Sequence, residues 1–131
     1  MRSEKMEQEF VQLFVKKSRQ ERILWEIGSK KYQDHVIAAR FHDTENFQIA
    51  YLRPLDYHPL DQLYALLHPY CADDKIYYMG GRCIALLPLD SACDYAERGD
   101  ICILYCGNGV GYYQGEQLYG PPPRYLLWRR K

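Results

Sequence analysis

ICILYCGNGVGYYQ, residues 101–114, sets two apolar runs rich in β-branched and aromatic side chains on either side of Gly107, Asn108 and Gly109. An Asn-Gly pair between such runs supplies the positive φ angles that a tight hairpin needs, so the stretch reads as two antiparallel strands, 101–106 and 110–114. A second hairpin precedes it. Residues 75–79 (KIYYM) and 82–87 (RCIALL) flank Gly80-Gly81 in the same way.

Working outward from these hairpins, Asp90 to Asp100 is polar and reads as a loop or a short helix. Pro121-Pro122-Pro123 removes three backbone donors in a row and cannot be a central strand. The closing RYLLWRRK reads as a last strand or a docked tail. Toward the N-terminus, Met6, Phe10, Leu13 and Phe14 line one helical face, with Ser3 placed to cap it, which predicts a helix from Glu4 to about Ser18. RILWEI (22–27) reads as a strand that enters a turn at Gly28-Ser29, and HVIAARF (35–41) as a buried strand, with a helix as the competitor in both. Residues 42–46 form a polar connection, and Phe47, Ile49 and Tyr51 alternate with their neighbours as a strand does. Pro59 suits the first turn of a second helix over residues 59–68, which buries Leu63, Leu66 and Leu67.

Helix, strands, helix and strands, without regular βαβ alternation, predict one α+β domain. Its sheet is mostly antiparallel, and the N-terminal helix and the 59–68 helix pack on one face. The length, 131 residues, accommodates one core. With 47% hydrophobic and 26% charged residues the composition is that of a globular protein and excludes a disordered or collagen-like chain. No apolar run is long enough to span a bilayer, and the first residues lack an apolar leader, so the expectation is a soluble, cytoplasmic protein. Five cysteines, an odd number, then read as reduced thiols.

Seventeen basic and seventeen acidic groups give a net charge of zero, which argues against a polyanion as the main partner. The neutrality conceals a pattern. Residues 1–40 carry +3, residues 41–100 carry −6 and residues 101–131 carry +3. Thirteen tyrosines against four phenylalanines add aromatic rings that keep a polar tip, as interfaces favour.

Several constellations carry residue types suited to chemistry. His58, His68, Cys71 and Cys83 lack the paired short spacings of a zinc site, and Cys102 and Cys106 lie about 13 Å apart along one strand. No metal and no cofactor are expected. A Cys-His hydrolase built on Cys106 or Cys71 is an alternative, although Asp73-Asp74 beside Cys71 and Asp94 beside Cys93 oppose a thiolate. Gly107, Gly109 and Gly111 resemble a phosphate cradle only superficially, since no Lys-Ser or Lys-Thr follows. Arg124, Arg129, Arg130 and Lys131, interleaved with Tyr125 and Trp128, make a nucleic-acid module a further alternative.

The reading these features favour is a small binding protein that docks a protein partner, a basic one, through an acidic and tyrosine-bearing surface. Inhibitors and immunity proteins that neutralise an enzyme work in this way. The residues expected at that surface are Asp43, Glu45, Asp56, Tyr57, Tyr70, Asp73, Asp74, Tyr77, Asp94 and Tyr95. No membrane and no nucleic acid are expected as partners.

Overall fold

A computed structural model describes residues 2–55 and 61–130. The expected α+β class holds. Five helices accompany one six-stranded antiparallel sheet among the described residues. The strands are β1 (Leu52–Pro54), β2 (Lys75–Gly80), β3 (Ile84–Pro88), β4 (Cys102–Gly107), β5 (Val110–Gln114) and β6 (Arg124–Trp128), and the order across the sheet is β1-β6-β5-β4-β2-β3.

Both expected hairpins form. Gly107 pairs with Val110, so Asn108 and Gly109 are the two turn residues, with φ of 54° and 79° as a primed turn demands. The β2–β3 turn has another cause. Met79 pairs with Ile84, neither Gly80 nor Gly81 has a positive φ, and Gly80 is small because any Cβ there would come within 2.4 Å of the Tyr78 hydroxyl. The closing RYLLW run is β6, joined to both β5 and β1.

Helix α1 (Glu4–Phe14) starts as its capping chemistry predicts, with Ser3 Oγ accepting the Met6 N–H. It stops at Val15, earlier than Ser18. Val15 is extended because it bridges to Phe47, and Lys16 N–H donates to Asn46 O, so the chain kinks before a new helix can begin.

That new helix corrects the first strand reading. Residues 17–28 form α2 (Lys17–Gly28), not a strand: Ile23, Glu26 and Ile27 are buried at helical spacing, while Trp25 between them is exposed. HVIAARF is also helical, as α3 (Val36–Phe41), with Val36, Ile37 and Phe41 on its buried side. Glu26 joins the two helices. Its buried carboxylate accepts two hydrogen bonds from Arg40, at 2.8 and 2.9 Å, and a third from Arg22 at 3.2 Å, which holds its pKa below the ordinary carboxylate value. The 47–52 alternation gives little strand. Ile49 is exposed and lies in a single 3₁₀ turn, Ile49–Tyr51, which leaves only β1 as extended structure.

The second helix, α4, runs Asp61–Leu67, and the predicted N-terminal position of Pro59 lies outside the described residues. The polar 90–100 stretch is a helix, α5 (Leu89–Glu97), with Leu89, Ala92, Cys93 and Ala96 buried. Helices cover both faces of the sheet, where the sequence placed α1 and α4 on one. Tyr77, Met79, Ile103, Tyr105, Tyr113 and Leu127 meet α1, α2 and α3. Ile76, Tyr78, Cys102, Leu104 and Tyr112 meet α4 and α5. The strands therefore bury side chains on both sides, which is why KIYYM and ICILYC carry no polar alternation.

The largest fully buried side chains of this core are tyrosines. Tyr77, Tyr78, Tyr105, Tyr112 and Tyr113 are all essentially buried. Four hydroxyls find acceptors: Tyr77 donates to Glu7, Tyr105 to Glu9, Tyr112 to Gln114 Oε1 at 2.7 Å and Tyr113 to Phe41 O at 2.6 Å. Burial pushes the Tyr77 phenol from its ordinary 10.0 up to about 12 and pushes the other four upward as well. A phenol raised in the folded state stabilises fully below pH 10 and loses that contribution as pH rises through its folded value. The expected result is a split alkaline titration of phenolate absorbance after a rapid pH jump. Exposed tyrosines ionise at once, and the buried five ionise only as the protein unfolds. A single fast phase that includes all thirteen tyrosines would contradict their burial.

Candidate interaction surface

The residues expected at one acidic surface divide between the two layers. Asp43 and Glu45 sit in the connection after α3, on the α1–α3 side, where Asp43 Oδ1 accepts the Glu45 N–H at 2.9 Å and Oδ2 lies 3.3 Å from His42 Nε2. Asp56 and Tyr57 lie outside the described residues. Asp73 and Asp74 lie on the α4–α5 side, in the 3₁₀ turn that leads into β2, and Asp94 is exposed on α5.

The tyrosines of that set take other environments. Tyr77 is fully buried and leaves the surface set: it is a sheet residue whose hydroxyl donates to Glu7 and accepts the Ser3 N–H. Tyr70 meets the edge of Trp128 at 5.5 Å with the Arg130 guanidinium 5.6 Å away, so its company is basic. Tyr95 is half-buried against Tyr78 and flanked by Arg82 and Arg98.

Asp73 and Asp74 are exposed on the turn before β2, and Asp90 and Asp94 are exposed along α5. Asp74 and Asp90 both act electrostatically on Tyr64, and Asp90 and Asp94 both act on Cys93. Two residues that the sequence reading did not place at this surface join Asp74: Tyr64 on α4 and His68 in the 3₁₀ turn that follows it. Tyr64 and His68 stand one helical turn apart, their rings stacked with centroids 5.2 Å apart and planes inclined by 17°. Both hold Asp74: the Tyr64 hydroxyl donates to Oδ2 at 2.5 Å, and His68 Nδ1 lies 2.8 Å from Oδ1. The hydrogen bond from Tyr64 lowers the Asp74 pKa, and that bond raises the Tyr64 phenol to about 12. The i, i+4 spacing of Tyr64 and His68 was the available signal. Their target lies ten and six residues on, which periodicity does not reveal.

The turn that presents these carboxylates is strained. Asp73 and Asp74 have φ of 55° and 57°, the left-handed region, in succession. Aspartate tolerates that region better than most residues, at a cost of about 1 kcal/mol each. Such outliers persist where surrounding contacts hold them, here through Tyr64 and His68.

The thiols have a separate arrangement. Cys71, between two 3₁₀ turns, places its Sγ 3.5 Å from Cys106 Sγ on β4. The His68 imidazole directs Nδ1 at Asp74 instead. Among the described residues no three His, Cys, Asp or Glu side chains converge as metal ligands would.

A groove of about 570 Å³ opens on the other side of the molecule, between α1, the β4–β5 turn and the end of β6. It is lined by Lys5, Gln8, Glu9, Gln12, Leu13, Asn108, Arg129 and Arg130, with neither a thiol nor an imidazole. Two of its charges already have structural partners. Arg129 donates to Leu13 O at 2.8 Å and stacks over Tyr51, and Glu9 accepts from Tyr105 and from the Asn108 N–H. Gly107, Asn108 and Gly109 form a hairpin turn and do not lead into a helix N-terminus. Arg129 and Arg130 both line this groove, Arg129 over Tyr51 and Arg130 beside Tyr70 and Trp128. No helix among the described residues is long and apolar enough to cross a membrane. Comparison with protein-family models, with curated proteins and with solved structures found no match for this chain.

Proposed function

We propose that the protein is a non-catalytic binding module that docks a basic protein partner through the acidic α4–α5 side. Asp73, Asp74, Asp90 and Asp94 supply the charge and Tyr64 the aromatic anchor. The observation that carries this reading is the Tyr64–His68–Asp74 cluster on its left-handed turn, with His68 and Asp74 exposed and Tyr64 half-buried. A carboxylate fixed before the encounter loses less conformational freedom on binding, so more of its electrostatic attraction survives as affinity. The work of such a surface is capture, as in an inhibitor or an immunity protein.

Charge complementarity acts first on the association rate. A partner captured at low salt from the native cell extract is expected to be basic. Its association rate is expected to fall on the order of tenfold or more as ionic strength rises, and by a similar factor when Asp73, Asp74, Asp90 and Asp94 are all replaced by Asn. A partner whose rate ignores both salt and the four substitutions would overturn the proposal.

A further inference from the structure

Outside the acidic surface, two thiols meet between α4 and the sheet. Cys71 and Cys106 are 35 positions apart in the chain, both half-buried, with their sulfurs 3.5 Å apart. A disulfide requires about 2.05 Å between sulfurs, so an approach of roughly 1.5 Å converts this contact into a bond. The flanking backbone is irregular at both positions. Cys71 lies between two short turns and outside any strand ladder, and Cys106 sits at the irregularity of β4 where the register shifts between Tyr105 and Gly107.

Of the three remaining thiols, Cys102 is fully buried on β4, Cys93 is buried on α5, and Cys83, half-buried ahead of β3, has its pKa raised by burial. We propose that Cys71 and Cys106 form a redox-active pair, a modification site at which a hydroperoxide is the oxidant and an intramolecular disulfide is the product. This goes beyond the binding reading and needs no partner.

The two sulfurs have different parts. When Cys71 is ionised, the Cys106 S–H donates to it, which lowers the Cys71 pKa despite the opposing effects of burial and of Asp74, and raises that of Cys106. Its place on a turn outside the sheet, against Cys106 within β4, makes Cys71 the attacking group. Its thiolate forms an S–O bond to the peroxide, the O–O bond breaks, and the departing oxygen takes up a proton as an alcohol or water. Cys71 is left as the sulfenic acid. Cys106 then gives up its proton, its sulfur attacks the Cys71 sulfur, and the hydroxide displaced leaves with that proton as water. In total two thiols and one hydroperoxide give one disulfide, one alcohol (water from hydrogen peroxide itself) and one water. The thiols are oxidised by two electrons and the peroxide is reduced by two.

The test uses the full chain, reduced, freed of reductant and treated with hydrogen peroxide, and is read by intact mass and by peptide mapping. The expected product is lighter by two hydrogen atoms and links the Cys71 peptide to the Cys106 peptide. Dithiothreitol reverses it, and Cys93→Ser still forms it. Cys106→Ser is expected to stop at a Cys71 sulfenic acid that dimedone traps, and Cys71→Ser to give no link. A bond from Cys71 to Cys93, a bond only between two molecules, or unlinked sulfenic acid accumulating on wild-type Cys71 would each overturn the proposal. Should either serine variant fail to fold, the wild-type peptide map decides by itself.

Discussion

Phe10→Ala is expected to cost about 3–5 kcal/mol, the range for removing a fully buried phenylalanine. Phe10 has no exposed surface. Four rings surround it, those of Phe14, Phe41 and Tyr105 at 5.9 Å and Phe47 at 6.3 Å, three of them edge-on. They come from α1, α3, the connection before β1, and β4, so truncation opens a cavity where four parts of the chain meet. Against a total stability of 5–15 kcal/mol for an ordinary domain, a loss of this size removes a large part of what holds the fold. Urea unfolding would show a lower midpoint with an unchanged slope. Ile49→Ala, at a 59% exposed position, is the control and should change stability by less than about 0.5 kcal/mol. A Phe10→Ala cost no larger than that of Ile49→Ala would remove α1 from the centre of the core.

Gly109→Ala is expected to be of comparable severity for a different reason. Gly109 has φ of 79°, and a Cβ there would stand 2.1 Å from the Arg129 carbonyl oxygen, a backbone atom that cannot swing aside. That same strand end donates the Arg129 N–H to Gly109 O at 2.7 Å, so relief of the clash breaks the hydrogen bond between the turn and the end of β6. Conformational strain and overpacking each contribute, and the sum is on the order of 3 kcal/mol or more. Gly120→Ala separates the two effects. Gly120 also has a positive φ, 67°, but its Cβ position is open, so only the strain of about 1 kcal/mol remains. Equal costs at the two sites, measured by chemical denaturation, would show that the collision with Arg129 is absent in solution.

Features governed by neighbours in the chain were legible. The start of α1 follows from Ser3 and the acidic first turn, and the β4–β5 turn from Asn108-Gly109. Misreadings arose where a local pattern had two solutions. RILWEI and HVIAARF are rich in strand-favouring residues, yet each also places buried residues three or four apart, and contact with the neighbouring helices and the sheet selected the helix. The alternation of Phe47, Ile49 and Tyr51 failed similarly, since Phe47 was taken into a bridge with Val15 and Ile49 was left facing solvent. Of the site, the acidic identity of Asp73 and Asp74 could be read, but not that Tyr64 and His68 grip Asp74.

The cap of α1, the Asn-Gly turn, the charge asymmetry of the chain and the antiparallel pairing of adjacent strands were therefore written in the order of residues, because caps, turns and hairpins act across a few positions. Whether a tyrosine became core or surface was decided only in three dimensions. Tyr77 could be buried because Glu7, seventy positions away, accepts its hydroxyl proton, and Cys71 met Cys106 because the turn after α4 packs over β4. A partner such as Glu7 offsets the cost of burying a polar group, and a sequence names the group without saying which distant atom will be beside it.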